Sequence, residues 1–213
     1  MIVGALLARN EAAPDRYLRR ALSNAASLCD KIVVLDDGSD DQTADICEEF
    51  GQVVRRPAGA GWWASGEEWR AREMLWQIAS NVGASHIYIF DADHELLNIT
   101  RNDLRLLTRS NKLAWCCPLY DCWESDEQMR VDGFWQAHMH PRPWLFAAKP
   151  YDVWRPVWSE RGIHAGHFPL NHSTPAEWGM MPPGVAIRHL GYVKRSHRER
   201  KYERYLAAAA GVS

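Results

Sequence analysis

Two aspartates separated by one residue, Asp91 and Asp93, directly follow an apolar run at residues 87–90. An unbroken apolar run of this kind is typical of a strand that is buried on both faces of a parallel sheet. Open α/β sheets bind ligands beyond the carboxyl ends of their strands, which is where these two side chains would lie. Paired carboxylates at that point form a hard oxygen site that suits Mg²⁺ or Mn²⁺ holding a phosphorylated substrate.

A second acidic pair, Asp36 and Asp37, follows an earlier apolar run of the chain. If the two strands are parallel, both acidic pairs lie on the same edge of the sheet. One interpretation is that an aspartate of this pair hydrogen-bonds a ribose hydroxyl or a base edge. The other is that the pair only turns the chain before a helix whose capping box is formed by Ser39 and Gln42.

The elements that must position these carboxylates alternate between strand and helix patterns. Strands are predicted at residues 2–7, 31–35, 52–55 and 86–90, and helices at residues 14–26, 39–50, 66–81 and 100–107. This alternation predicts an α/β fold with a Rossmann-like, mostly parallel sheet flanked by helices.

The second half of the chain has a different character, with an irregular or antiparallel arrangement. Extended segments are predicted at 113–123 and 129–138, an irregular Trp- and His-rich region at 139–183, a strand at 185–189 and a helix at 195–210. We expect the irregular region to cover a site, because long loops without their own periodicity are usually functional. With no repeat and no linker, the sequence predicts a single domain over residues 1–213.

Composition and missing motifs argue against several classes of protein. A net charge of −2 gives no overall signal for nucleic acids or membranes, and no apolar segment is long enough to span a bilayer. The five cysteines lack CxxC spacing, which favours reduced thiols in a cytoplasmic protein. Arg9, Asn10 and Glu11 replace the GxGxxG of dinucleotide-binding dehydrogenases, and the GxxxxGK[ST] of P-loop phosphotransferases is also missing.

Three stretches of the chain together resemble family 2 glycosyltransferases of the GT-A fold. They are ARNEA at 8–12, IVVLDDGSDDQT at 32–43, which is the most specific, and FDAD at 90–93. The resemblance extends over residues 1–110, which would bind the nucleotide sugar, and leaves 111–213 as the acceptor-binding half with the terminal helix. It implies a nucleoside-diphosphate sugar as donor, with a UDP-sugar expected, and Mn²⁺ or Mg²⁺ as cofactor.

The resemblance also implies roles for individual residues. Asp93 would ligate the metal directly, and His189, which ends an apolar strand, would complete the metal site. One or two side chains of the basic run at 194–204 would neutralise the departing diphosphate. The implied nucleotide-sugar set is Arg9, Glu11, Asp36, Arg72, Asp91, Ala92 and Arg198, and the implied metal set is Asp91, Asp93 and His189. A solvated helix face is the alternative for Arg72.

The resemblance implies inversion at the anomeric carbon, which requires a general base for the acceptor hydroxyl. The short Glu-Asp-like motif that usually supplies this base is absent. The candidates are therefore Glu160, His164 and Asp152, with Asp132 as a further carboxylate in the same half of the chain. The segment at 158–164 is similar to a Trp-x-Gly-x-x-His-Glu segment of some relatives, without its final Glu.

Two other functions compete with sugar transfer. A nucleotidyltransferase acting on a sugar phosphate normally carries a Gly-rich basic loop after its first strand, where this chain has Arg9-Asn10-Glu11. A non-catalytic module that binds carbohydrate or nucleic acid is favoured by the eleven Trp and the basic C-terminal run. For a transferase, the acceptor stays open between a glycan, a lipid-linked sugar, a protein and a modified nucleobase.

Overall fold

The computed structural model describes residues 1–63, 65–149, 154–160 and 166–209. Its strands are β1 (Ile2–Ala8), β2 (Lys31–Asp36), β3 (Gln52–Arg55), β4 (His86–Phe90), β5 (His94–Leu97), β6 (Ala114–Cys117), β7 (Leu119–Asp121), β8 (Arg142–Ala147), β9 (Trp178–Met180) and β10 (Ala186–His189). Its α-helices are α1 (Leu18–Leu28), α2 (Thr43–Glu48), α3 (Glu68–Asn81), α4 (Arg101–Leu107) and α5 (Arg195–Ala209).

The main sheet has seven strands in the order β3-β2-β1-β4-β8-β6-β9. Strands β3, β2, β1 and β4 are parallel neighbours, whereas β8 runs antiparallel to both β4 and β6. Helices cover both faces of β1, so Ile2 and Leu6 pack with α1 while Val3 and Ala5 pack with α3. This burial on both faces explains the unbroken apolar runs. The predicted mostly parallel α/β fold is confirmed, and strands of both halves share the sheet.

A second, three-stranded sheet in the order β5-β10-β7 carries the residues that approach the edge of the main sheet. Strand β10 pairs antiparallel with β5 and parallel with β7. Its register sets His189 opposite His94 on one side and opposite Asp121 on the other. The small sheet therefore joins three polar side chains that are far apart in the sequence.

Three elements differ from the sequence prediction in the second half. The expected strand at 129–138 is absent among the described residues, where one isolated bridge joins Cys122 to Met129. Strands β8 and β9 both lie within the region predicted to be irregular. In β8, Pro143 interrupts the usual strand pattern, which hides this strand in the sequence. The register shifts between Trp115 and Cys116 where Pro143 pairs with Cys116, which accommodates the missing N–H.

The two predicted helix caps had different outcomes. Thr100 and Asp103 form the capping box of α4. Ser39 does not cap α2, which begins at Thr43 without a side-chain cap. Among the helices the structure describes, none is long and apolar enough to cross a membrane.

Candidate active site

A cavity of about 830 Å³ opens at the carboxyl ends of β1, β2 and β4. Its volume is within the roughly 300–1,000 Å³ typical of small-molecule sites. The segments after these three strands contribute Arg9, Glu11, Asp37, Asp91, Ala92 and Asp93 to its wall. Other elements contribute, among others, Arg72, His94, Asp121, His167, His189, Arg200 and Lys201. The topology therefore gathers both acidic segments and the predicted His189 around one cavity.

The end of β10 places His189 against the acidic segment that follows β4. Nε2 of His189 lies 3.1 Å from Oδ2 of Asp93, and Nδ1 lies 2.6 Å from Oδ1 of Asp121. Because a carboxylate only accepts hydrogen bonds, Nδ1 carries a proton and donates a hydrogen bond to Asp121. Asp121 thus fixes the ring so that Nε2 faces Asp93, an arrangement typical of histidines that bind metals.

The charge of Asp93 is stabilised by cationic neighbours. Burial raises the pKa of its carboxyl group, but His189 and Lys201 outweigh burial and hold that pKa well below its ordinary value. The Lys201 ammonium lies 3.3 Å from Oδ2 of Asp93. For His189, burial lowers the pKa of the imidazole, but Asp93 and Asp121 together outweigh burial and raise it. Asp93 is therefore ionised at neutral pH and favours a cation beside it.

His94 directly follows Asp93 and completes a cluster of three metal-ligating residue types. One ligand atom from each of Asp93, His94 and His189 lies within 4.8 Å of the others. Burial lowers the pKa of His94 to about 4, so its imidazole is neutral at pH 7. Its Nδ1 accepts from the backbone N–H of Asp91 at 3.4 Å, which leaves the proton on Nε2, 3.8 Å from Asp93 Oδ1. In this tautomer His94 directs an N–H towards the carboxylates instead of a lone pair towards a metal, so Asp93 and His189 are the better metal ligands.

The pair of Asp93 and His189 fits a divalent cation. Ligands about 2.1 Å from an octahedral ion are separated from their neighbours by ~3 Å, and Oδ2 and Nε2 here are 3.1 Å apart. A carboxylate beside an imidazole suits Mn²⁺. Buried Gly191 leaves the space, because a Cβ at this position would overlap Asp93 Oδ2 and lie 2.7 Å from His189 Nε2.

Asp91 is held by side chains from two other parts of the chain. Its Oδ1 lies 3.4 Å from the guanidinium of Arg72, and its Oδ2 lies 3.1 Å from Nε2 of His167. Arg72 is buried on α3 and also donates to Glu68 at 3.0 Å, so it is not on a solvated helix face. Burial raises the pKa of Asp91, but His167 and Arg72 outweigh burial and hold it well below its ordinary value. Asp91 is therefore an ionised acceptor in the cavity wall.

The other acidic segment is bound by its own turn and by the loop that follows β3. Asp36 is 2% exposed and is not among the described residues that line the cavity. Its carboxylate accepts from the hydroxyl and the backbone N–H of Ser39. Asp37 lines the cavity and accepts from Arg56 at 2.7 Å and from the backbone N–H groups of residues 62–63 at 3.0 and 2.8 Å. The contacts of Asp36 match the turn-forming interpretation, and its contact with a nucleoside stays a prediction.

The segment after β1 contributes both of its predicted nucleotide-binding residues to the cavity wall. Nη1 of Arg9 is buried and has no hydrogen-bond partner among the described residues. The guanidinium lies against Gly61, where a Cβ would overlap it. Glu11 lies 3.5 Å from Arg16, and its backbone N–H donates to Thr43 at 2.7 Å. The segment is thus fixed to α2, with a donor of Arg9 available to a ligand.

Helix α5 supplies basic residues to the cavity, but Arg198 is not one of them. Nη1 of Arg198 donates to the carbonyl oxygens of Tyr192 and Val193 at 2.8 and 2.9 Å, and Arg198 is not among the described lining residues. Arg200 and Lys201 line the cavity instead. The position expected for a diphosphate-neutralising side chain is therefore better filled by these two residues.

The two candidates for the general base that the structure describes, Glu160 and Asp132, do not lie at the site. Glu160 is exposed and is not among the described residues that line the cavity. Asp132 is exposed and lies 2.6 Å from Arg130. Asp152 and His164 lie outside the described residues, although Gly166, close to His164 in the sequence, lines the cavity.

Three site residues were missed by sequence reasoning. His94 had a signal, because it directly follows the acidic pair. Asp121 had a weaker one, since it ends the short strand β7, and His167 had none within the irregular region.

No protein-family model matches the chain, and no curated protein matches it in sequence. Among solved structures, it is similar to S. aureus TarS, with 17% identity and a TM-score of 0.46 over 56% of this chain and 22% of TarS. A structure of TarS 1-349 in complex with UDP shows 17% identity and a TM-score of 0.46 over 56% of this chain and 36% of that one. Glucosyl-3-phosphoglycerate synthase from Mycobacterium tuberculosis, with Mn²⁺, UDP-glucose and phosphoglyceric acid, shows 20% identity and a TM-score of 0.37 over 57% of this chain and 44% of that one. The chain spans less than half the length of each of these proteins.

Proposed function

We propose that this chain is a metal-dependent, inverting glycosyltransferase that moves a sugar from a nucleoside-diphosphate sugar to an acceptor hydroxyl. The observation that carries the proposal is the approach of His189 to Asp93, 3.1 Å apart at the carboxyl edge of a parallel sheet. This is the pair that the resemblance to family 2 glycosyltransferases implies as metal ligands. Residues 1–110 would bind the donor, and residues 111–213 would form most of the acceptor side.

The nucleoside of the donor would lie between the segments after β1 and β4. The buried Nη1 of Arg9 is an available donor, and Asp91 is an ionised acceptor suited to a ribose hydroxyl. Arg72 keeps Asp91 in place and neutralises part of its charge. Asp36 supports this site through the Ser39 turn, whatever contact it makes itself.

The diphosphate would lie beside Asp93 and His189, which would hold Mn²⁺ or Mg²⁺ with phosphate oxygens and water as the remaining ligands. When bound, the cation neutralises negative charge that develops on the departing diphosphate. Arg200 and Lys201 add positive charge from the protein itself on the same cavity wall.

Transfer would follow direct displacement. The acceptor oxygen forms a bond to the anomeric carbon while the bond from that carbon to the diphosphate oxygen breaks, and the hydroxyl proton passes to a general base. Asp152 and His164, which lie outside the described residues, remain the candidate bases. The acceptor itself is open.

The test is a panel of UDP-, GDP-, CDP- and dTDP-sugars with Mn²⁺. We expect slow release of free nucleoside diphosphate from one of these donors in the absence of acceptor, and a higher melting temperature with the same nucleoside diphosphate and Mn²⁺. No release and no thermal shift with any donor would contradict the proposal. Release of pyrophosphate from a nucleoside triphosphate and a sugar phosphate would instead indicate a nucleotidyltransferase.

A further inference from the structure

Lys201 does more than line the cavity, because its ammonium approaches both candidate metal ligands. Its Nζ lies 3.3 Å from Asp93 Oδ2 and 3.0 Å from His189 Nε2, between the two candidate metal ligands. The ammonium also lies 4.3 Å from the centre of the Tyr192 ring, and the side chain is only 16% exposed. The ammonium is therefore held by three different groups within the cavity.

The space between these ligands is too small for two cations. A Cβ on Gly191 would overlap both Asp93 Oδ2 and Lys201 Nζ, so all of these atoms surround one small volume. A divalent ion about 2.1 Å from Oδ2 and Nε2 would lie within about 4 Å of the ammonium that interacts with the same two atoms. Charge repulsion at such short range excludes simultaneous occupancy of both positions.

Contacts with the segment before α1 hold α5 so that Lys201 reaches the site. Asp15, which precedes α1, accepts from His197 at 2.9 Å and from Arg200 at 3.1 Å. Its backbone carbonyl oxygen accepts from Lys194 at 3.1 Å. The helix is thus tied to the segment before α1, and the entry of Lys201 into the cavity is part of the fold.

An ammonium has three N–H donors. Among the described residues, Asp93 and His189 are the two hydrogen-bond partners of Lys201, so a third donor is available to an anion in the cavity. Because Lys201 lines the same cavity as Asp93, that anion would be the diphosphate of the donor.

We propose that Lys201 is a tethered cation that takes the place of a divalent ion between Asp93 and His189. In the absence of metal it binds the diphosphate, and a metal ion enters only by displacing it. This inference rests on the proposed function, because it assumes that the cavity binds a diphosphate. It goes beyond that function in predicting diphosphate binding without any metal.

The test uses inorganic pyrophosphate in EDTA, and separately Mn²⁺ alone, with binding to the full chain measured by calorimetry. Lys201→Met should weaken metal-free pyrophosphate binding at least about tenfold, the loss of one charge-assisted hydrogen bond. The same variant should bind Mn²⁺ about tenfold more tightly than the wild type, because the competing ammonium is gone. Lys201→Arg should retain pyrophosphate binding in EDTA.

Arg195→Met is the matched control, since it removes a cation from the same helix at a side chain that is 84% exposed. It should leave both affinities unchanged. Equal metal-free pyrophosphate binding by the wild type and Lys201→Met would overturn the inference while leaving the proposed function intact. If neither Mn²⁺ nor pyrophosphate bound to any of the four proteins, the proposed function would fail together with the inference.

Discussion

The two acidic segments at the carboxyl edge of the sheet use the same residue type in opposite ways. After β2, the carboxylates of Asp36 and Asp37 accept from Ser39, from Arg56 and from backbone N–H groups of the adjoining loop. After β4, Asp91 and Asp93 instead contact side chains of α3, of β10, of α5 and of residue 167. The first segment is held by its own turn and by the loop after β3, whereas the second is held by side chains from several elements.

This difference shows how equivalent positions in a sheet acquire different roles. Local backbone donors fix a loop and leave little for a ligand to add. At Asp93, Nε2 of His189 faces both the Asp93 carboxylate and the Lys201 ammonium. Because Nδ1 carries the proton of the neutral ring, Nε2 can accept a hydrogen bond from the ammonium but cannot donate one to the carboxylate. A divalent metal ion in place of the ammonium would interact favourably with both the carboxylate and Nε2, so the second segment is the better candidate for chemistry.

The largest effect on stability is expected at the first segment. Asp37→Ala should lower the free energy of unfolding by about 3–5 kcal/mol, because it leaves Arg56 and two loop N–H groups without their buried carboxylate. Urea unfolding of this variant measures the effect. The exposed neighbour Asp40 provides the control, since Asp40→Ala should change stability by no more than about 0.5 kcal/mol. Equal stability of the two variants would remove the structural role assigned to Asp37.

At the second segment the main effect should fall on activity. Asp93→Asn should reduce the release of nucleoside diphosphate from the donor by about 10²–10³-fold, as the loss of electrostatic stabilisation at a developing charge usually does. Its melting temperature should fall less than that of Asp37→Ala, because its partners lie in a solvated cavity. Asp40→Asn, which makes the same chemical change at an exposed position, should retain full activity. Retained activity of Asp93→Asn would place the chemistry elsewhere.

The sequence predicted what local patterns encode. Strands β1, β2 and β4 follow from apolar runs that need helices on both faces, and the positions of Asp91 and Asp93 follow from where the β4 run ends. Neither Asp121 nor the pairing of His189 with His94 could be predicted, because both depend on the register of a small sheet assembled from distant strands. On α5, a basic run does not show which side chains point into the cavity. The sequence therefore predicts Arg198 as a nucleotide-sugar ligand, whereas in the structure Lys201 enters the cavity.

A smaller effect tests whether distant support matters at the second segment. In Asp121→Asn, the side-chain amide can either accept a hydrogen bond from Nδ1 of His189 or donate one to it. The proton is therefore no longer fixed on Nδ1. We expect Mn²⁺ affinity to fall about tenfold, the lower end of the range for residues that orient a metal ligand. Calorimetric titration with Mn²⁺ measures it. Unchanged affinity would mean that Asp121 contributes only to packing.

The smallest effect concerns the opposite end of β4, where burial lowers the pKa of His86 to about 4 from an ordinary value of 6.5. Between these two values the unfolded chain binds a proton that the folded chain does not, so stability falls as the pH is lowered through this window. His86→Asn should flatten the decline between pH 6.5 and 4 in urea unfolding, whereas the exposed His140→Asn should not. An unchanged slope in His86→Asn would show that this end of the strand does not contribute to the pH dependence.

The most direct test of the account is a crystal structure of the chain with UDP and saturating Mn²⁺, with the metal located by its anomalous scattering. The account predicts one manganese ion bound by Asp93 Oδ2 and His189 Nε2 and by oxygens of the diphosphate, with the Lys201 ammonium displaced from between them. A manganese ion bound at Asp36 and Asp37, or a diphosphate bound away from Asp93, would contradict it.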